Sequence, residues 1–189
     1  MKALYIIPQA NGSVAIEPGA DSSILRPAEP VFIEEPNADW ESRIVLGVRI
    51  SRLGFHIPPA HALRHYDSIG ALHLLWPLAQ GAVAVPPLFR DRAIAPGEWQ
   101  PLDADSDISL DVRVSTLADG SALLDASRRF TVADLDIARY VALASKYMSL
   151  KTGDIILLGP TTVSLGTPAF DTRIEASING HKSLDIRIK

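Results

Sequence analysis

The chain has 189 residues, of which 47% are hydrophobic and 21% are charged, with a net charge of −4 and no cysteine. This length and apolar content suit a single globular domain over residues 1–189, and the acidic balance argues against nucleic acid or an anionic membrane as a partner. The absence of cysteine excludes disulfides and thiolate catalysis, and no apolar run approaches the roughly 18 residues of a membrane span, so we expect a cytoplasmic protein.

The first fifty residues combine a hairpin, an irregular segment and a long strand. Asn11-Gly12 stands between two apolar runs, which predicts that residues 1–29 form a hairpin followed by a loop. Proline and acidic residues are frequent in 18–39, which predicts irregular structure with one short strand at 30–33. The run ESRIVLGVRI alternates in a way that is typical of a buried strand. Its inward positions are Ile44, Leu46, Val48 and Ile50.

The middle of the chain predicts a short helix and two further strands. PPAHALRHYDSI begins with proline, which favours a helix start, and the apolar residues 69–76 predict the strand that follows. DISLDVRVST alternates strictly between apolar and polar residues. Asp119-Gly120 then turns this strand back to form a hairpin.

The last third begins with a helix. Thr131-Val-Ala-Asp134 matches a capping signature, which predicts a helix that continues to about Met148. Its buried stripe is predicted to be Ile137, Val141, Ala144 and Met148. Gly153 suits a helix-to-strand turn, and Asn179-Gly180 predicts a closing hairpin. These elements together predict a β-rich α+β domain with two or three helices.

Four segments of the chain resemble segments of one known protein family. The longest, FTVADLDIARYVALASKYMSLKTGDIILLGP, leads from a helix through a Gly-Asp turn into an apolar strand. The other three are ADWESRIVLGVRISRLG, RDRAIAPGEW and RIEASINGHKSLDIRI. Taken in chain order over residues 30–189, the four segments resemble the strand, loop, helix and closing hairpin of the fumarylacetoacetate hydrolase family. The resemblance implies a mixed β-sandwich roll, usually a homodimer.

The resemblance also implies a chemistry. Members of that family cleave or rearrange β-diketo and 2-oxo acids, and a hard cation, Mg²⁺ or Ca²⁺, polarises the substrate oxygens. The metal is held by a Glu-x-Glu pair on one strand and by an Asp on a neighbouring strand. Residues two apart on a strand share a face, so this spacing directs both carboxylates into one pocket.

The chain departs from that pattern at several positions. Glu41 matches the first Glu of the pair, but the second position is Arg43. Counting back from Gln80 places His73 where the family has its Asp. The lysine expected before RDRAIAPGEW is missing from residues 85–88, and Thr-Gly-Thr-Pro has become Leu-Gly-Pro-Thr at 158–161.

Arg43 is the most informative departure, because a guanidinium keeps its proton and would repel a cation beside it. We therefore expect no cofactor, although Mg²⁺ or Ca²⁺ would bind if the family site survives. Within this pocket the metal-ligand candidates are Glu41 and His73, which together would suit a borderline ion such as Zn²⁺ if the pocket rearranged. The residues expected to line the pocket and bind a ligand are Glu41, Arg43, His73, Gly159, Thr161 and Thr162.

Other polar groups give weaker signals. His61 and His65 have the i, i+4 spacing of a zinc pair but no evident third ligand. Of the acidic cluster Glu34, Glu35, Asp39 and Glu41, the first three suit a solvated loop. Either residue of Arg128-Arg129 could hold a carboxylate. No serine-hydrolase, P-loop or dinucleotide-binding motif is present.

Three functions remain open from the sequence. The first is a diverged, homodimeric binding or accessory protein for a small anionic molecule, with little or no metal-dependent hydrolase activity. The second is an active hydrolase, isomerase or decarboxylase on acylpyruvate-like β-diketo or 2-oxo acids with a relocated metal site, or with Arg43 orienting the substrate carboxylate. The third is a structural β-domain whose pocket is filled by its own side chains.

Overall fold

The computed structural model of the chain describes residues 1–26, 29–34, 38–78, 86–103 and 106–189. In these residues one α-helix, α1 (Ile137–Ser145), accompanies eleven strands and three short 3-10 helices. The strands are β1 (Ala3–Pro8), β2 (Val14–Gly19), β3 (Trp40–Ile50), β4 (Tyr66–Pro77), β5 (Ile94–Pro96), β6 (Gln100–Pro101), β7 (Asp107–Thr116), β8 (Ala122–Thr131), β9 (Ile155–Gly166), β10 (Thr172–Ile178) and β11 (His181–Ile188). The 3-10 helices are Asp21–Ser23, Pro59–Arg64 and Ala133–Leu135. None of these helices is long and apolar enough to cross a membrane.

The strands form two sheets. The larger has the order β2-β1-β9-β3-β4-β5, with β6 also paired to β4, and the smaller has the order β11-β10-β7-β8. The β1–β9 pair is parallel and the other pairs are antiparallel, so the larger sheet is mixed. This architecture confirms the predicted β-rich α+β class.

The main core lies between the two sheets. The alternating residues of β3 (Ile44, Leu46, Val48 and Ile50) are fully buried, as predicted. They share one cluster with apolar residues of β7, β10 and β11 in the smaller sheet. A second cluster covers the opposite face of the larger sheet, where Val45, Leu72 and Leu74 pack under Leu88 and Ile94. The larger sheet is therefore buried on both faces, which explains why its central strands are apolar throughout.

The hairpins follow their local sequence signals, and α1 follows its signals in part. Asn179 and Gly180 have φ values of 52° and 77°, the left-handed pair that a tight two-residue hairpin requires. The predicted cap lies one turn before α1: the Thr131 hydroxyl accepts a hydrogen bond from the Asp134 amide at 3.1 Å, beside the 3-10 helix Ala133–Leu135. The α-helix itself begins only at Ile137, after Asp136 with a φ of 53°, and has no side-chain cap. The helix ends at Ser145, one turn earlier than predicted.

Two other details of the prediction differ from the structure. The strand expected at 30–33 is a single bridge between Val31 and Ile188. The helix opened by proline is a 3-10 helix rather than an α-helix. Both segments are short and rich in proline, which removes the backbone donors that a longer element would need.

The turn before β9 is held by a buried carboxylate. Gly153 has a φ of 90°, and the Asp154 carboxylate accepts hydrogen bonds from the Lys151 amide at 2.8 Å, from the Lys2 amide at 3.0 Å and from the Lys2 ammonium. Burial alone would raise the pKa of Asp154, but these donors outweigh it and lower the pKa. The turn therefore ties β9 to β1 and sets the start of their parallel pairing.

A bulge in β9 shapes the edge of the candidate site. Between the pairs Ile44–Val163 and Leu46–Leu158, one residue of β3 faces four residues of β9. The Thr161 hydroxyl closes the bulge by accepting from the Leu46 amide at 2.8 Å and donating to the Leu158 carbonyl at 2.7 Å. Gly159 lies so close to β1 that an added Cβ would stand 2.3 Å from the Ile6 carbonyl oxygen.

Gly159→Ala is expected to lower the free energy of unfolding by about 2–3 kcal/mol, because the new methyl group would overlap a backbone oxygen in a paired strand. Urea unfolding followed by circular dichroism measures this loss. Gly120→Ala is the matched control, because its added methyl meets nothing within 4 Å. It should lose only about 1 kcal/mol, from its left-handed backbone. Equal losses in both variants would contradict the close approach of β9 to β1.

Candidate functional site

The candidate site lies on the outer face of the larger sheet, away from the smaller sheet. Glu41 and Arg43 are two residues apart on β3, so their side chains share this face. Directly opposite them on β4 stand Trp76 and Leu74. Tyr5 of β1 and two residues of β9 complete the group. We call this group the Arg43 cluster: Tyr5, Glu41, Arg43, Trp76, Thr162 and Ser164.

The Glu41 carboxylate fixes the Arg43 side chain. The Arg43 Nε–H donates to Glu41 Oε1 at 2.8 Å, and the Ser164 hydroxyl donates to the same oxygen at 3.0 Å. The guanidinium carbon of Arg43 lies 4.9 Å from the ring centroid of Trp76, within the range of a cation–π contact. Glu41 and the Trp76 ring therefore hold the Arg43 guanidinium, and Ser164 holds the Glu41 carboxylate.

Tyr5 and Thr162 bring the β9 bulge into the cluster. The Thr162 hydroxyl donates to the Gly159 carbonyl at 2.7 Å. Its oxygen also lies 3.1 Å from the Tyr5 hydroxyl, and because the Thr162 proton is already used, Tyr5 is the donor in that bond. The Tyr5 oxygen keeps its lone pairs, and they stabilise the Arg43 cation beside it.

Arg43 is a permanent cation that reaches solvent. Burial would lower its pKa, but the hydrogen bond and charge of Glu41, with the Tyr5 hydroxyl, outweigh burial and raise the pKa above its ordinary value. The Arg43 side chain is 35% exposed, whereas Glu41 is 17% exposed. The cluster therefore presents a positive group to solvent, with its carboxylate behind it.

The structure does not place His73 in this cluster. His73 lies opposite Ile44, on the other face of the sheet, and its Nε2 is 2.7 Å from the Ser42 hydroxyl. Its ring is buried, and burial lowers its pKa to about 3. The expectation that His73 lies beside Glu41 is wrong, because residue 73 has the opposite parity on β4 from Trp76, the residue that faces Glu41.

Three β9 residues were predicted for the site, and only Thr162 contributes its side chain to the cluster. Thr162 belongs to the cluster, and its carbonyl accepts a hydrogen bond from Arg128 Nη1 at 2.7 Å. Thr161 is fully buried and holds the bulge, and Gly159 contributes only its backbone. No sequence pattern singled out Tyr5, Trp76 or Ser164. Their positions depend on strand register, which leaves no local signal.

The weaker candidates lie elsewhere. His61 is exposed, and His65 Nδ1 lies 3.1 Å from the Arg52 carbonyl. Of the acidic residues 34–41, Glu34 pairs with Arg90 at 3.5 Å, and Glu35 lies outside the described residues. The segment 85–88 is the one that lacks the expected lysine. Residue 85 lies outside the described ranges, and Leu88 is buried.

No protein-family model and no curated protein matches this chain. Solved structures do match over 99–100% of its length. A Yersinia pestis CO92 protein, provisionally assigned to the fumarylacetoacetate hydrolase family, matches with a TM-score of 0.76, 16% identity and 93% coverage of that chain. The chain has the fumarylacetoacetate hydrolase fold.

Two enzymes share this fold with the chain. The fumarylpyruvate hydrolase of Pseudomonas aeruginosa, solved in complex with Mn²⁺ and pyruvate, matches with a TM-score of 0.71 and 14% identity over 99% of this chain and 88% of its own. The 2-hydroxyhepta-2,4-diene-1,7-dioate isomerase of Mycobacterium marinum matches with a TM-score of 0.75 and 18% identity over 99% of this chain and 73% of its own. Because fold alone does not carry function, the activity must be argued from the site.

The residues of the Arg43 cluster do not fit the hard divalent cation that the fold family implies. Such an ion needs several carboxylate oxygens pointing into one pocket. The cluster offers one carboxylate, Glu41, and its Oε1 already accepts two hydrogen bonds. Nowhere in the described ranges do three or more His, Asp or Glu residues stand close enough to hold a metal ion. We therefore derive no reaction step through a metal.

Replacing His73 should remove part of the acid sensitivity of the fold. The unfolded histidine takes up a proton near pH 6.5, whereas the folded one does so only near pH 3, so the unfolded state binds more protons between these values. Stability is therefore lost as pH falls, by about 1.4 kcal/mol per pH unit from this group.

Urea unfolding at pH 7.5 and pH 4.5 measures this effect. Between the two, the wild-type protein should lose about 2.5 kcal/mol more than His73→Gln does. His181→Gln, at an exposed position, should behave like the wild type. Parallel losses in the wild type and His73→Gln would show that His73 titrates normally in the folded state.

Proposed function

We propose that this protein binds small carboxylates of the 2-oxo-acid class at the Arg43 cluster, and that it has little or no metal-dependent hydrolase activity. The observation that carries the proposal is the position of Arg43. Its guanidinium stands two residues from Glu41 on one face of β3, where the family resemblance implies the second carboxylate of a metal pair. A fixed positive charge of the protein takes the place of a bound cation.

The geometry of Arg43 suits a carboxylate. Its Nε–H is engaged by Glu41, which leaves the terminal nitrogens of the planar fork as donors. Arginine forms bidentate, charge-assisted bonds with carboxylates, and these are stronger than bonds between neutral groups. The Thr162 and Tyr5 hydroxyls beside the guanidinium can orient a second polar group, and the buried Trp76 ring supplies an apolar wall.

The structural neighbours support the ligand class. The Pseudomonas aeruginosa enzyme was solved in complex with Mn²⁺ and pyruvate, so a protein of this fold takes both a small 2-oxo acid and a cation as ligands. In this chain Arg43 supplies that charge without a metal. We also expect a cytoplasmic homodimer, and both properties stay predictions.

Hydrolysis would need a group that activates water. The only carboxylate of the Arg43 cluster is Glu41, and its Oε1 is engaged by Arg43 and Ser164. A diverged binding protein therefore suits the cluster better than an active hydrolase, isomerase or decarboxylase with a relocated metal.

Thermal unfolding with added ligands tests the proposal. Pyruvate or oxalate at 20 mM should stabilise the wild-type protein, by about 1.8 kcal/mol if Kd is about 1 mM. Mg²⁺, Mn²⁺ and Ca²⁺ should leave its unfolding temperature unchanged, because the Arg43 cluster offers them a single carboxylate. Elemental analysis of protein purified without chelator should likewise find no stoichiometric divalent metal.

Matched variants assign the effect to the cluster. Arg43→Gln should abolish the stabilisation by pyruvate, whereas Arg64→Gln, the same charge change at an exposed position outside the cluster, should keep it. Stoichiometric metal, a cation-induced shift that disappears in Glu41→Ala, or turnover of acylpyruvates would contradict the proposal and establish the enzyme alternative.

A further inference from the structure

A second cavity opens on the same face of the larger sheet, at the other end of β3. Its volume is about 720 Å³, within the range of small-molecule sites. Arg49 reaches it from β3, six residues beyond Arg43, which corresponds to roughly 20 Å along a strand. The cavity is therefore separate from the Arg43 cluster. Its lining comes from the segment after β2, from β3, from residues 92–99 and from the start of β9.

Three arginines line this cavity, and none of them has a carboxylate partner among the described residues. They are Arg26, Arg49 and Arg92. Asp21 and Glu29 also line it, yet in the part of the chain that the structure describes neither forms an ion pair with any of the three. Unpaired guanidinium groups that converge on one space repel one another, and an anion placed between them relieves that repulsion.

Arg92 is held in a backbone conformation that disfavours its side chain. Its φ is 57°, in the left-handed region where glycine is the usual residue. Its amide donates to the Ser22 carbonyl at 2.9 Å, which fixes the residue against the 3-10 helix Asp21–Ser23. A strained arginine at a cavity wall is a feature to be explained by function rather than by stability.

The remaining walls are apolar and include an indole. Ile24, Leu25, Pro96 and Ile155 line the cavity together with Trp99. The guanidinium carbon of Arg49 lies 5.6 Å from the Trp99 ring centroid, so the positive charge and the aromatic ring are adjacent in the cavity wall. Gly70 leaves room for that ring, because an added Cβ would stand 3.1 Å from it. A flat apolar body can rest against this wall while a carboxylate meets the arginines.

We infer that this cavity is a binding site for an aromatic carboxylate, held by Arg26, Arg49 and Arg92 against Trp99. The site does not depend on the proposed function of the Arg43 cluster. Either site can fail its test while the other passes, because different arginines carry them.

Calorimetric titration with phthalate, an aromatic dicarboxylate, tests the inference. The wild-type protein should bind one phthalate in the cavity, and the fluorescence of Trp99 should change on binding, a change that Trp99→Phe removes. The neutral analogue phthalamide should not bind. Arg49→Gln and Arg92→Gly should each weaken phthalate binding at least about tenfold, the usual effect of removing a hydrogen bond to a charged group.

Two controls separate binding from folding. Arg92→Gly relieves the left-handed strain, so its unfolding temperature should stay near that of the wild type while binding is lost. Arg64→Gln removes an exposed arginine outside the cavity and should bind phthalate normally. The inference is overturned if phthalate does not bind, if Arg64→Gln weakens binding as much as Arg49→Gln, or if only Arg43→Gln abolishes it.

Discussion

The ion pair between Arg43 and Glu41 on β3 determines what the outer face of the larger sheet can do. The guanidinium contacts Glu41 at 2.8 Å and the Trp76 ring at 4.9 Å, so its positive charge lies beside the carboxylate that would otherwise bind a cation. The pair is partly exposed, and its contribution to stability is at most about 1 kcal/mol. Its importance is therefore functional, because it fixes the sign of the charge that a ligand meets.

Side chains of β3 point alternately into the core and toward the candidate site, so the fold determines the position of the site. Ile44, Leu46 and Val48 point into the core between the sheets, and Glu41 and Arg43 point the other way. Any shift of β3 by one residue would turn Glu41 and Arg43 into the core between the sheets, so packing of the core also fixes the site. The Thr161 hydroxyl reinforces this register by bonding the Leu46 amide, and the same bulge carries Thr162 to Tyr5.

Local signals in the sequence were sufficient for the hairpins and the inward residues of β3, because each depends on neighbours along the chain. They also predicted a helix before β9 but placed its start too early, because a 3-10 helix and the left-handed Asp136 precede α1. The partner of Glu41 on β4 was not predictable in this way. Residues 51–65 connect β3 to β4 without a tight turn, so the sequence contains no marker of their register. Counting back from Gln80 therefore selected His73, on the wrong face, and missed Trp76. Tyr5 comes from a strand far away in sequence.

Manganese binding to charge-reversed variants tests the central claim, that Arg43 stands in the place of a metal-binding carboxylate and keeps cations out. Arg43→Glu restores a Glu-x-Glu pair with Glu41, whereas Arg49→Glu makes the same change at the far end of β3. Calorimetry should detect Mn²⁺ binding at least about tenfold tighter in Arg43→Glu than in the wild type or Arg49→Glu, since removing a repelling charge and adding a ligand both favour the cation. Equal Mn²⁺ affinity in the wild type and Arg43→Glu would contradict the account.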